Sequence, residues 1–154
     1  MTPYDKSLAR AEERGIKFYY HKSKETPAVG ARLGETLAVS IDESAFDSDR
    51  ERRLAVVHEV KHCEMDSFYK EGTPDWVVAR IERRVTKATA MELVPFEIIF
   101  NTYRQGIFSE SEQAAEWDIP LHFVKTVHEA YEEAYPDKVS ELKLFVAEKF
   151  NHYA

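Results

Sequence analysis

A strand-like segment followed closely by a capped helix is the feature that most constrains how this chain can fold. Residues 36–41 alternate apolar with small or polar side chains, which predicts a strand with Leu37, Val39 and Ile41 facing the core. Ser48 and Glu51 then have the spacing of a capping box, which predicts a helix over residues 49–65. The segment therefore combines a strand with a helix directly after it, and we expect an α+β domain.

The other segments predict a small sheet and a mostly helical second half. Gly15 ends a polar helix over residues 4–14, and residues 16–20 are a β-branched and aromatic run typical of a strand. Residues 28–34 contain two glycines, so this segment is predicted to be either a turn or an irregular strand. Capping residues and prolines predict further helices over residues 73–93, 109–117 and 120–134, and a last one that carries Val139, Leu142, Val146 and Phe150 on one side.

The chain has no repeat, low-complexity tract or linker, which predicts a single domain over residues 1–154. Within it we expect a sheet-containing core over 1–95 and a helical C-terminal part over 96–154. Residues 1–95 carry 16 Lys/Arg against 17 Asp/Glu, whereas residues 96–154 carry 5 against 11. The acidic C-terminal part argues against direct nucleic-acid binding, because such binding depends on Lys and Arg.

Cysteine content and hydropathy bear on the compartment. Cys63 is the one cysteine, so an internal disulfide cannot form, as is typical of proteins in a reducing cytosol. The longest aliphatic run, residues 54–57, is far shorter than the ~20 residues of a membrane helix. The first residues show no apolar segment of the secretory kind. We therefore expect a cytoplasmic protein with no membrane span.

The segment 58–62 reads H-E-V-K-H and lies within a predicted helix. Residues four apart lie one above the other on a helix, so His58 and His62 can bind one metal ion. Zinc suits two neutral imidazoles and leaves a position for water, for which Glu59 would be the base. The alternative is a solvated helix that carries two surface histidines.

A catalytic zinc site needs a third protein ligand. On the next predicted helix, Glu82 lies within a stripe of apolar or small residues formed by Val78, Val85 and Thr89. A buried carboxylate needs a cation opposite it, which is either a metal ion or a neighbouring arginine. Other carboxylates that could supply the third ligand are Glu64, Asp66 and Glu92.

The same helix carries a longer pattern: residues 82–95 read E-R-R-V-T-K-A-T-A-M-E-L-V-P. Together with H-E-x-x-H, this resembles the ImmA/IrrE-type zinc metallopeptidases of mobile elements, phages and bacterial stress regulation. Those proteins show a strand, an H-E-x-x-H helix and a second helix of the form E-x-x-A-x-x-(aromatic)-A-x-x-x-L-(I/V/M)-P. Glu82 and the Leu-Val-Pro ending match this form in register.

The resemblance implies a fold, a metal and a ligand set. It implies an α+β fold in which a small three-stranded sheet packs on the H-E-x-x-H helix and a ligand helix, a minimal zincin-like metallopeptidase core over residues 1–95. It also implies a helix-turn-helix-like segment near residues 109–134 of the helical C-terminal part. It also implies Zn²⁺ bound by His58, His62 and Glu82, with Glu59 as the catalytic residue. Lys61 stands where the family usually has Gly, which indicates a divergent member, of phage or mobile-element type.

Family members of this kind cleave helix-turn-helix repressors, so the resemblance implies a zinc-dependent endopeptidase with a transcriptional repressor as its protein substrate. We expect the peptide to pair with an exposed sheet edge. The residues expected at this edge are Thr36, Leu37, Ala38 and Val39. The candidates for a donor to the oxyanion are Tyr69, His122, His128 and Tyr131. The alternative function is a regulator that binds a repressor, or a partner in a two-gene module, with little or no proteolysis.

For the remaining notable residues, structural roles are expected. His21 and His152 are predicted to be surface residues, and Cys63 a packed thiol, because it is turned about 100° around the helix from the nearest ligand. Trp76 and Trp117 are predicted to contribute to the core or to helix contacts. An aromatic platform for nucleic acid would need basic neighbours, which the C-terminal part lacks.

Overall fold

The structure is a computed structural model that describes residues 1–150, so the predicted surface residue His152 lies outside the described residues. The described chain is α+β, with a three-stranded mixed sheet and seven α-helices. The elements in chain order are α1 (Pro3–Glu13), β1 (Lys17–Tyr20), β2 (Ala28–Leu33), β3 (Thr36–Ile41), α2 (Asp49–Glu64), α3 (Asp75–Leu93), α4 (Phe96–Arg104), α5 (Glu110–Trp117), α6 (Val124–Ala134) and α7 (Pro136–Phe150), with short 3-10 helices at Glu43–Ala45 and Leu121–Phe123.

The strand order in the sheet is β1-β3-β2, with β3 in the centre. β1 runs parallel to β3. β2 runs antiparallel to β3, and a tight turn connects β2 to β3. β3 is therefore the central strand: of the residues that we expected at an exposed edge, Thr36 and Leu37 pair with β2 alone, whereas Ala38 and Val39 are paired on both sides. β2 pairs along the whole of β3, and β1 pairs from Ala38 to Ile41, so the free edges of the sheet belong to β1 and β2.

Local capping explains where α2 begins. The Ser48 hydroxyl oxygen accepts the backbone N–H of Glu51 at 3.2 Å, as the capping pattern predicts. The Glu51 carboxylate, which we expected to reach back to Ser48, instead has its Oε1 2.8 Å from Nε2 of His122. This side chain therefore connects α2 to the turn before α6.

α2 lies at the centre of the molecule and contributes to two groups of buried apolar residues. Val56 and Val60 pack with the sheet and α1, where Val39 and Ile41 are buried as predicted. The opposite side of α2 packs with α3 and the C-terminal helices, where Trp117 is buried. The prediction that a second tryptophan belongs to the core was wrong, since Trp76 is 68% exposed in the first turn of α3.

Two helix starts differ from the sequence prediction. α3 begins at Asp75 with Pro74 as its N-cap, because the hydroxyl of Thr73 donates to the carbonyl of Lys70 at 2.7 Å. α4 was not predicted at all; it starts directly after Pro95 and buries an apolar face in the C-terminal core. None of the helices described within residues 1–150 is both long and apolar enough to cross a membrane.

Candidate metal centre

α2 presents its two histidines on one face, as their spacing predicts. The ring centroids of His58 and His62 lie 5.0 Å apart, with the rings nearly perpendicular. The His62 side chain is nearly buried at 7% exposure, and that of His58 is 22% exposed. Both imidazoles therefore lie at the edge of a protected surface, where they remain accessible to a small ion.

α3 packs beside α2 and brings Glu82 to the two imidazoles. Its Oε2 lies 2.8 Å from Nε2 of His58, and its Oε1 lies 2.9 Å from Nε2 of His62. Val85 and Thr89, in the same stripe of α3, are fully buried and hold this face of the helix inward. The three side chains offer ligand atoms within 4.8 Å of one another, so this cluster could bind a metal ion. Within residues 1–150 it is the one cluster of this kind.

The hydrogen-bond partners of His62 call for a cation at this position. Its Nδ1 lies 2.6 Å from the carbonyl oxygen of Ser67, and its Nε2 faces the Glu82 carboxylate. Both partners are acceptors, whereas a neutral imidazole carries only one N–H. Either a second proton or a metal ion must therefore lie between Nε2 and the carboxylate. A carbonyl at Nδ1 is also the usual way in which a protein orients a histidine ligand.

The donor set fits zinc by its chemistry. Two imidazole nitrogens and one carboxylate oxygen are common zinc ligands, and three protein ligands leave a fourth position open for water or substrate. The carboxylate of Glu82 is in the ionised form that a metal requires. Burial alone would raise its pKa, but hydrogen bonds and charges from His58, His62 and Tyr69 lower the pKa below its ordinary value.

Glu59 lies between the imidazoles and the free edge of β2. Its Oε2 accepts the backbone N–H of Gly30 at 2.7 Å. Burial raises the pKa of Glu59 above its ordinary value, against the lowering effect of His58 and His62 and of the Gly30 hydrogen bond. A carboxyl whose pKa is raised above its ordinary value is a stronger base, which suits the role predicted at this position.

The close approach of β2 to α2 requires a glycine at position 30. A Cβ atom there would lie 2.8 Å from the backbone oxygen of Glu59 and 3.2 Å from its Oε2. Real Cβ atoms do not approach oxygen so closely. The lack of a side chain at Gly30 therefore allows its N–H to reach the Glu59 carboxylate.

Of the four predicted candidates for an oxyanion donor, the structure brings one to the cluster. The Tyr69 hydroxyl donates to Oε1 of Glu82 at 3.0 Å. Burial and the neighbouring Glu82 raise the pKa of Tyr69, so its hydroxyl keeps its proton. The others bond elsewhere: His122 to Glu51, His128 to Gln113, and Tyr131 to the carbonyl of Val94.

The other carboxylates that could have supplied the third ligand have cationic partners. Glu64 and Glu92 both contact Arg10, and Asp66 contacts Arg32, with 2.7 Å between Arg32 Nη2 and Asp66 Oδ1. They are therefore engaged in ion pairs away from the two imidazoles.

Two further predictions concern cysteine and histidine. Cys63 is buried as predicted, and burial raises the pKa of its thiol to about 11, so it is a packed neutral group. His21 lies partly exposed at the surface, but it also has hydrogen-bond partners that the sequence did not indicate. Its Nδ1 lies 2.6 Å from the hydroxyl of Ser40 and its Nε2 lies 2.7 Å from the carbonyl of Thr26, so it holds the segment between β1 and β2.

Two contributors to the site were missed by sequence reasoning. Gly30 had a usable signal, because a glycine inside a strand pattern often marks the close approach of another backbone. Ser67 contributes a carbonyl oxygen, which every residue has, so no sequence pattern could have indicated it.

Comparisons with known proteins identify no relative. No family model matches the chain, and neither the curated proteins nor the solved structures contain a match. The resemblance to a family therefore depends on the motifs at residues 58–62 and 82–95.

Proposed function

We propose that this chain is a zinc-dependent endopeptidase, a divergent ImmA/IrrE-type member with minimal zincin-like packing of α2 and α3. The observation that carries the proposal is the convergence of His58, His62 and Glu82 within 4.8 Å. A partly buried Glu59 lies beside them. A structural metal site would need no such carboxylate, whereas peptide hydrolysis needs a base next to the metal.

The chemistry divides between the ion and the protein. When bound, Zn²⁺ supplies a Lewis acid that lowers the pKa of water toward ~7 and polarises a carbonyl group. Glu59 takes the proton of the attacking water and later delivers it to the leaving amine. The N–H of Gly30 keeps one carboxylate oxygen of Glu59 in place, which leaves the other free for the proton.

We place the substrate peptide along the outer edge of β2. The N–H of Gly30 points away from β3 toward Glu59, and backbone groups of a strand alternate between its two sides. The N–H and C=O groups of Ala28 and Arg32 therefore also face outward. An extended peptide that pairs with this edge gains hydrogen bonds that do not depend on its side chains, and it lies next to Glu59.

The substrate that we propose is a helix-turn-helix repressor of a phage or mobile element, as the family resemblance implies. The net charge of −7 supports a basic protein partner, because DNA-binding proteins carry the opposite charge. We also propose a cytoplasmic location, since the one cysteine is a buried free thiol.

The proposal is tested with Glu59→Gln. This change keeps the size of the side chain and the three ligands, so we expect zinc content and thermal stability to stay as in the wild type. Cleavage of a repressor encoded beside the gene should fall by ~10²–10⁴-fold, the usual contribution of a general base. Glu71→Gln, an exposed change of the same chemistry in the segment between α2 and α3, is the matched control and should cleave as the wild type does.

The same variant separates the enzyme from the alternative regulator. A protein that acts by binding a repressor would relieve repression equally well with Glu59→Gln. Persistent relief of repression in the variant, or undiminished cleavage, contradicts the proposed activity. Loss of both relief and cleavage with retained zinc supports it.

A further inference from the structure

The loop between the two ligand helices contacts ligands on both of them. Ser67 offers its carbonyl oxygen to Nδ1 of His62 at 2.6 Å. Two residues further along, the Tyr69 hydroxyl donates to Oε1 of Glu82 at 3.0 Å. A single short segment, which we call the α2–α3 loop (residues 65–74), therefore contacts one ligand from α2 and one from α3.

The α2–α3 loop is held at both ends of this contact region. Asp66 adopts a left-handed backbone conformation with a φ of 49°, and its Oδ1 forms an ion pair with Arg32 of β2 at 2.7 Å. Phe68 packs against the buried residues below the sheet. These contacts lie on either side of Ser67. They hold the backbone that leads to Tyr69 and so fix the direction of the Tyr69 side chain.

The Tyr69 ring lies over the cluster while its edge remains accessible. Its centroid is 6.4 Å from that of His62, in an edge-on arrangement, and 46% of the residue is exposed. The hydroxyl contributes little to the core, so its removal should not affect folding. Glu82, by contrast, is a flexible side chain with 34% exposure, and its carboxylate needs an external group to hold its direction.

We propose that Tyr69 is a positioning residue that holds Glu82 in its metal-binding orientation, an inference that rests on the proposed metal centre. The contacts of Glu82 with His58 and His62 cannot persist once both Nε2 lone pairs point at an ion. The hydrogen bond from Tyr69 has no such conflict, because its donor is a hydroxyl group that binds no metal. Tyr69 therefore orients the carboxylate before and after metal binding, and lowers the cost of ordering it.

The test compares zinc affinities, measured by competition with a chromophoric chelator. Loss of an outer partner of a metal ligand typically costs 10–100-fold in affinity, so Tyr69→Phe should weaken zinc binding by about 10-fold. The matched control is Tyr20→Phe, which removes the hydroxyl of a 73% exposed tyrosine on β1 and should bind zinc as the wild type does. In the absence of metal, both variants should have the same unfolding temperature as the wild type.

A double-mutant cycle shows whether Tyr69 acts through Glu82. In a Glu82→Ala background the partner of the hydroxyl is gone, so adding Tyr69→Phe should leave unchanged the weak residual zinc affinity, which is measured by titration at high zinc concentration rather than after dialysis. The visible spectrum of the Co²⁺-loaded protein gives a second readout, because it depends on ligand geometry and should differ between Tyr69→Phe and the wild type.

The outcomes separate this inference from the proposed function. Equal zinc affinity and equal Co²⁺ spectra in Tyr69→Phe and the wild type overturn the role of Tyr69 while the metal centre stands. If Tyr69→Phe lowers zinc affinity by the same factor in the wild type and in the Glu82→Ala background, the role of Tyr69 is also overturned, since the tyrosine would then act on another group. A wild-type protein that binds no zinc overturns the proposed metal centre, and the role of Tyr69 with it.

Discussion

Two groups of charged side chains join α2 to α3, and they differ in the balance of their charges. The first, the cation-rich cluster, consists of Arg10, Arg14, Lys61, Glu64 and Glu92. The second, the proposed metal centre, consists of His58, His62 and Glu82 with the neighbouring Glu59. The first contains three permanent cations for two carboxylates, whereas the second contains two carboxylates and two imidazoles.

In the cation-rich cluster every buried charge is matched. The Glu64 side chain is only 5% exposed, yet it lies 2.7 Å from Nε of Arg10, 2.9 Å from Nη1 of Arg14 and 3.2 Å from Nζ of Lys61. Burial alone would raise the pKa of Glu64, but Arg10 and Lys61 lower it below its ordinary value. Glu92 supplies the second carboxylate. A cluster of this kind connects α1, α2 and α3 and has no need of a further ion.

The proposed metal centre has no lysine or arginine to balance its carboxylates. Within residues 1–150, neither Glu59 nor Glu82 forms an ion pair with a lysine or arginine, and the nearest bases are imidazoles that can be neutral. Formal charge at the site is therefore negative unless a proton or an ion is added. The difference shows how a structural charge cluster can be told from an ion site: the former contains its own counter-charges and the latter recruits one.

The largest expected difference between the two clusters is in metal content. We expect purified wild type to carry zinc in stoichiometric amount, and both His62→Ala and Glu82→Ala to lose it, because two ligands hold zinc far more weakly than three. Glu92→Gln, in the cation-rich cluster, should retain zinc at the wild-type level. Metal analysis of the dialysed proteins measures this. Loss with His62→Ala but not with Glu82→Ala would move the third ligand to another residue.

The sequence predicted the helices of the site well, because their signals are local. The cap at Ser48 and the i, i+4 spacing of the two histidines suffice to place both imidazoles on one face of α2. The position of Glu82 within the stripe that contains Val85 and Thr89 indicated that it points inward. The geometry places these three side chains together as expected, while the binding of an ion there and its identity stay proposals.

The sequence could not predict what depends on distant contacts. Strand order is set by how β2 folds back on β3, and the glycines of residues 28–34 were also consistent with a turn, so the sequence did not show that β3 is the central strand. α4 was missed because Pro95 ends one helix and begins the next, and the proline alone indicates only an end. The roles of Ser67 and Tyr69 at the site depend on the path of a loop, for which the sequence carries no periodic signal.

Arg10→Met separates stability from metal binding. The change keeps most of the apolar stem but leaves Glu64 and Glu92 with fewer cations, so we expect a loss of about 2–3 kcal/mol in the free energy of unfolding, reduced from the cost of a fully buried pair because Arg10 is 33% exposed. Zinc content should not change. Chemical denaturation and metal analysis provide the two measurements. Zinc loss at unchanged stability would show that the two clusters are coupled, and would break the comparison.

Gly30→Ala tests the contact of β2 with Glu59. An added Cβ would lie 2.8 Å from the Glu59 backbone oxygen, so β2 must move outward, at a cost of about 1–2 kcal/mol. Cleavage should fall because Glu59 loses its N–H partner, while zinc content stays. Gly34→Ala is the comparison: its φ of 66° carries a strain of about 1 kcal/mol, but nothing lies near the added atom. A Gly30→Ala protein that cleaves as well as Gly34→Ala contradicts this role.

His128 is a half-buried imidazole that lies outside the proposed metal centre, and it contrasts with His62. Burial lowers the pKa of His128 below its ordinary value of 6.5, against the opposing charges of Glu110 and Glu132. The unfolded chain therefore binds this proton more readily, and folding stability should fall as the pH drops below 6.5 toward the lower pKa of the folded state. The fall should be smaller in His128→Gln. Denaturation curves between pH 7 and pH 5 measure it, and an unchanged pH dependence in the variant would rule out His128 as the cause.

The smallest expected effect concerns a buried polar group that has no partner, the opposite of the fully matched Glu64. Ser7 of α1 is completely buried, and its hydroxyl has no hydrogen-bond partner within residues 1–150. Ser7→Ala removes this unsatisfied group and improves helix propensity, so we expect a gain of about 0.5–1 kcal/mol in the free energy of unfolding. Ser40→Ala, which removes a hydroxyl 2.6 Å from His21, should lose about 1 kcal/mol. If Ser7→Ala proves as destabilising as Ser40→Ala, the Ser7 hydroxyl has a hydrogen-bond partner in solution. The buried polar groups of α1 are then as completely paired as the charges of the cation-rich cluster.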